Sequence, residues 1–178
     1  MRYLEVACRI LIGVVFFVSA TSKLRSRAEL RAFGDSLPDF LPLPAALIGP
    51  LSLTVALLEC AVVPLVLLPV TAPVGCVVAF VLLAGFTVAV ASTLRAGRRI
   101  ACRCFGPARE PLGPRHLLRN GVLLAAAAGG LPLGAGGAQP VGLVVAGATG
   151  LVAALILIHL DDILGLFLGQ AVNPNPPK

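Results

Sequence analysis

Apolar positions along this chain come in long runs, separated by short polar stretches, with no alternation of the kind a half-buried strand shows. The runs cover residues 4–24, 45–70, 74–94, 116–133 and 141–168. A helix needs roughly 20 consecutive apolar residues to cross a hydrocarbon core, and these runs are of that order. The pattern predicts an all-α membrane protein, a compact bundle of about five transmembrane helices forming a single domain over residues 1–170. A Pro- and Asn-rich tail over 171–178 reads as disordered. The polar stretch after the first run contains a short amphipathic segment around Ala28 to Phe33, read as an interfacial helix. Pro50 and Pro64 fall inside the second run, where neighbouring helices can repair the backbone bonds they remove.

The first run resembles a secretory leader, with Val18-Ser19-Ala20 as a small-residue cleavage site. Glu5 and Arg9 interrupt what would be its uncharged core, and Lys23 follows at once, so a retained span is expected. Glu5 and Arg9 are four residues apart and can pair on one helix face, which lowers the cost of placing them in a membrane.

Composition strengthens the membrane reading. Hydrophobic residues make up 58% of the chain and charged residues 12%, about half the charged share of a soluble domain. The mean hydropathy is +0.98. The predominance of Arg over Lys, with abundant Ala, Gly and Pro, points to a high-GC bacterial genome and hence to the bacterial cytoplasmic membrane. The net charge of +6 is not that of a nucleic-acid binder, because the polar stretches are too short to build a basic surface with stacking aromatics.

The placement of the charge matters more than its sum. With five crossings, the 23–43 loop, the 95–115 loop and the C-terminus share one face, which carries twelve of the fourteen basic residues; Arg2 and Arg9 lie on the other. The positive-inside rule puts the 95–115 loop in the cytoplasm and the N-terminus outside.

That loop holds the sharpest chemical signal, Cys102-Arg103-Cys104 followed by Phe105-Gly106-Pro107. Arg98, Arg99 and Arg103 favour thiolate over thiol. Cysteines one residue apart can bridge only through a small, strained ring, and a strained disulfide suits exchange better than stapling. Free loop cysteines without a role are the plain alternative. His116 could deprotonate a cysteine or act as a third metal ligand, but a closed zinc site needs four and no metal centre is expected. Cys8, Cys60 and Cys76 lie in apolar runs and read as small buried hydrophobes.

Glu59 is the second signal. An unpaired carboxylate near the middle of a span costs several kcal/mol, so it must be protonated or paired inside the bundle. Lys23 and Arg9 are the candidate partners, with Ser19, Thr21 and Ser22 as hydrogen-bond donors. A structural clasp between the first two spans is the preferred reading; a proton or quinone site is the functional alternative. Arg115 and Arg119 share one face at the start of the fourth run, and His116 and Asn120 share the next. His159, Asp161 and Asp162 close the fifth run and are expected to pair with loop arginines or face water. Gly165 and Gly169 form a weak small-residue packing pair.

Several of these segments resemble the methylamine-utilisation MauE family, related to DoxX-like membrane proteins. Phe16-Phe17-Val18-Ser19-Ala20-Thr21-Ser22-Lys23-Leu24 resembles the end of that family's first helix, and Leu57-Leu58-Glu59 its intramembrane glutamate. Cys102-Arg103-Cys104-Phe105-Gly106 resembles its C-x-C-F-G loop, and Arg115-His116-Leu117-Leu118-Arg119-Asn120 the start of its fourth helix. The resemblance extends over about 4–167 and implies a four-helix core with an added C-terminal helix. It also implies a redox-associated protein working with a thioredoxin-like partner in disulfide handling or protein maturation. On that footing Cys102 and Cys104 are the candidate redox pair, and Lys23 and Glu59 framework residues. The partner is expected to be a separate polypeptide, since these 178 residues hold no redoxin domain. Disulfide maturation belongs outside the cytoplasm, whereas the arginine count places the loop inside. Either the loop relays reducing equivalents from a cytoplasmic donor, or the count misplaces it. A non-catalytic subunit of a larger membrane complex is the reading from a different class.

Overall fold

In the computed structural model, residues 1–40, 44–97, 114–132, 137 and 139–160 are described, and among them the architecture is all-α. Six α-helices follow one another: α1 (Arg2–Leu24), α2 (Arg27–Ser36), α3 (Ala45–Leu67), α4 (Ala72–Arg95), α5 (Pro114–Gly129) and α6 (Pro140–Ile158), with one 3-10 turn at Leu37–Asp39.

Four of these, α1, α3, α4 and α6, are long and apolar enough to cross a membrane. Among the described residues four candidate spans are therefore shown, and the expected fifth is not confirmed. The fourth apolar run folds as α5, which has 16 residues and is about 24 Å long, short of the roughly 30 Å hydrocarbon core. The run reads longer in sequence because Leu131 and the residues beyond it are apolar, but the helix ends at the Gly129-Gly130 pair. The described part of the fifth run forms α6, which ends at Ile158 with His159 as its C-cap. Asp161, Asp162, Gly165, Gly169 and the 171–178 tail lie outside the described residues.

The amphipathic segment becomes α2. Ser26 caps it by accepting a hydrogen bond from the Glu29 backbone N–H at 3.2 Å, the usual way to satisfy a first-turn donor. Its Phe33 and Gly34 are buried, with Gly34 against Ile48 and Ser52 of α3. Pro50 and Pro64 lie within α3 without ending it.

α1 is the hub, packing against α2, α3, α5 and α6 and touching α4. The core joins Leu11, Ile12, Val15 and Phe16 of α1 to Val62 and Val66 of α3, Cys76, Ala79 and Leu83 of α4, Leu123, Ala126 and Ala127 of α5, and Ala154 of α6. Close approach is set by small residues. A Cβ at Gly75 would lie 2.7 Å from the Val66 backbone nitrogen, and one at Gly150 would collide with the Ala7 carbonyl oxygen. α6 runs alongside α1 in the same direction, with Gly142 against Tyr3 and Gly150 against Ala7. α5 runs the opposite way, with Gly129 against Cys8 and Asn120 beside the same cavity as Ser19.

Two polar ties close the end of the bundle where α1 begins. Arg9 pairs with Glu5 at 3.6 Å, as their spacing predicts, and its Nε donates to the Gly130 carbonyl oxygen at 2.8 Å. That carbonyl follows the C-terminus of α5, where a cation also meets the negative end of the helix dipole. The Tyr3 hydroxyl accepts from the Gln139 backbone N–H at 3.1 Å, at the N-cap of α6.

Candidate functional site

α1 and α3 cross antiparallel, with Gly13 against Val66 and Leu67. This register carries Lys23, at the last turn of α1, to the level of Glu59 in the middle of α3. The Lys23 ammonium donates to both carboxylate oxygens of Glu59, at 2.7 and 2.9 Å. Both side chains are enclosed, 1% and 2% exposed. Ser19 lies one helical turn before Lys23: its hydroxyl accepts from the ammonium at 2.7 Å and donates to Glu59 at 3.2 Å. A charge-assisted pair with its neighbouring lone pairs engaged is the arrangement a low-dielectric interior requires. Phe33 of α2 adds its ring face, whose centroid is 4.9 Å from the ammonium, a distance at which a cation is attracted to the ring quadrupole.

Of the two partners expected for Glu59, the structure selects Lys23. Arg9 is engaged with Glu5 and Gly130 at the opposite end of α1. Thr21 and Ser22 do not serve Glu59 either. Their hydroxyls donate to carbonyls of their own helix, Thr21 to Phe17 at 2.8 Å and Ser22 to Ser19 at 2.7 Å.

Beside the pair is a cavity with room of about 40 Å³, enough for about three water molecules at about 10–15 Å³ each by this measure. Ser19, Glu59, His116, Arg119 and Asn120 supply its polar wall, and Phe16, Leu83, Phe86 and Val90 are among its apolar residues. Arg119 and Asn120 are 7% and 8% exposed. The polar start of α5 thus faces inward, onto the cavity that Glu59 also lines. Helical spacing placed Asn120 and Arg119 on adjacent faces, and both faces reach the cavity because it sits where α1, α3, α4 and α5 meet. Sequence reasoning missed Phe33 and Phe86. The amphipathic pattern of α2 was the available signal for Phe33, whereas nothing sets Phe86 apart from the other apolar residues of its run.

Cys102, Cys104, Phe105 and Gly106 lie outside the described residues. His116 is placed at the cavity, within the helix that follows them in the chain. Among the described residues no group of three or more His, Cys, Asp or Glu side chains is arranged to hold a metal ion.

No curated protein and no solved structure matches the chain. The family model described as "Methylamine utilisation protein MauE" matches residues 1–133, a shorter stretch than the motif resemblance covers. The matched stretch takes in α1 to α5, every residue of the charged cluster and its cavity, and the C-x-C segment, and it stops before α6. With most of its residues inside the match, this multi-pass membrane protein belongs to the MauE family.

Proposed function

We propose that the protein carries out thiol–disulfide exchange through Cys102 and Cys104, with a thioredoxin-like polypeptide as its partner, in the maturation of other proteins. One observation carries this reading: the C-x-C segment joins α4 to α5, two of the helices that wall the cavity around the buried Lys23–Glu59 pair. The segment's own arginines raise the thiolate fraction, and its tight spacing favours a disulfide that is easily exchanged. The enclosed ion pair gives α1 and α3 a fixed relation from which such a segment can work. A non-catalytic subunit of a larger complex would use the same clasp but would have no need of the two thiols.

In this reading the chain crosses the membrane five times, with α5 as the fourth crossing. Its first turns lie level with the end of α1, and its last residues lie against Cys8 and Arg9 near the start of α1. α6 then runs parallel to α1, as a fifth crossing should. The arginine count orients the 95–115 loop to the cytoplasm.

Trapping tests the exchange. Cys102→Ser and Cys104→Ser variants, expressed in the native host, should yield a mixed disulfide with a redoxin for one of the two. If neither variant traps a partner and both complement a deletion, the cysteines have no such role.

A further inference from the structure

Cys8 and Cys76 read in sequence as buried hydrophobes, yet in the fold their sulfurs flank the same dipeptide. Cys8 lies in the second turn of α1 and Cys76 in the second turn of α4, two helices that start at the same end of the bundle. Both sulfurs converge on one dipeptide at the end of α5. A Cβ at Gly129 would lie 3.2 Å from Cys8 Sγ, and one at Gly130 would lie 2.9 Å from Cys76 Sγ and 3.4 Å from Arg9 Cγ. The two glycines therefore leave room for two thiols that any larger residue would displace. Cys8 and Arg9 are both within electrostatic reach of Cys76. The exposure of the two thiols differs: Cys76 is 1% exposed, whereas Cys8 is part-exposed.

We propose that Cys8 and Cys76 form a second, reversible dithiol–disulfide pair, which exchanges with small-molecule or protein disulfides at the end of the bundle where α1 and α4 begin. Unequal exposure assigns the roles. The Cys8 thiolate attacks the incoming disulfide R–S–S–R′, forming the Cys8–S–S–R bond and releasing R′S⁻. The Cys76 thiolate then attacks the Cys8 sulfur, forming the Cys8–Cys76 bond and releasing RS⁻. The two protons given up by the cysteines pass to the released thiolates, so one external disulfide is reduced as one internal disulfide forms. The exchange runs in either direction according to the potential of the external couple.

This pair is independent of the loop cysteines. With the arginine-rich loop facing the cytoplasm, it would lie toward the outer face, where disulfides persist.

Peptide mapping of the full-length protein in lipid nanodiscs, treated with oxidised glutathione and alkylated, tests the proposal. The expected product is a linked peptide joining Cys8 to Cys76. In a Cys102→Ser/Cys104→Ser background three cysteines remain of the five, and alkylatable thiols should fall from three to one. Cys76→Ser should instead accumulate a glutathione adduct on Cys8, and Cys8→Ser should leave Cys76 unmodified. Alkylation of both Cys8 and Cys76 in the wild-type protein after oxidation would overturn the proposal. So would a stable wild-type Cys8 adduct without the internal bond.

Discussion

Lys23 and Glu59, 36 residues apart in sequence, meet at 2.7 Å in a part of the bundle that solvent scarcely reaches. Removing one partner leaves the other as a buried, uncompensated charge, a loss of about 3–5 kcal/mol for such pairs. Lys23→Met and Glu59→Leu should each lower the melting temperature in detergent by that order. The double variant Lys23→Met/Glu59→Leu should recover a large part of the loss, because the lone charge is gone.

Glu59→Gln discriminates a clasp from a proton carrier. An amide can still accept from Lys23 and Ser19, so a clasp predicts that Gln is milder than Leu in both melting temperature and function. A proton carrier predicts that Gln abolishes activity while the melting temperature barely moves. We expect the stability effect to dominate.

The packing of α6 on α1 depends on Gly150, where an added Cβ meets the Ala7 carbonyl oxygen. Backbone cannot move aside as a side chain can, so Gly150→Ala should destabilise the protein by roughly 1–3 kcal/mol, the usual cost of overpacking. Gly147, where an added Cβ would meet nothing within 4 Å, is the internal control. Gly147→Ala should show no loss in the same thermal melt.

Arg9 joins α1 to the carbonyl that follows α5. Arg9→Met would remove the hydrogen bond to Gly130 and the ion pair to Glu5 together, at a cost of about 1–3 kcal/mol for the abandoned polar groups. Faster hydrogen exchange at the last turn of α5, with the first turns unchanged, is the expected local signature.

Orientation has its own test. In intact cells a membrane-impermeant maleimide should leave Cys102 unlabelled and should label it once the membrane is permeabilised. Labelling in intact cells would reverse the topology and place the loop on the outer face.

The helices were legible because bilayer-length apolar runs carry their own signal, and α1, α3 and α4 begin and end within a few residues of the runs that predicted them. The Lys23–Glu59 pairing was legible for a different reason: a mid-span carboxylate must find a cation, and few are within reach. The short α5 was not, since hydropathy counts Leu131 as apolar whether or not Gly129-Gly130 has already ended the helix. The Arg9 tie to Gly130 was hidden because backbone carbonyls do not appear in a string of side chains. That Asn120 and Glu59 line the same cavity depends on how α5 is registered against α1, which no local pattern encodes.

Because α1 precedes in the chain the helices that are arranged around it, it is made before any of the partners that cover it. Lys23 enters the bilayer before Glu59 exists to neutralise it, and the face of α1 that Gly150 will cover stays bare until α6 emerges. Until those partners arrive, the buried charge of Lys23 and the small-residue face of α1 lack the contacts that the finished bundle gives them. Docking of α6 alongside α1 is then what covers that face.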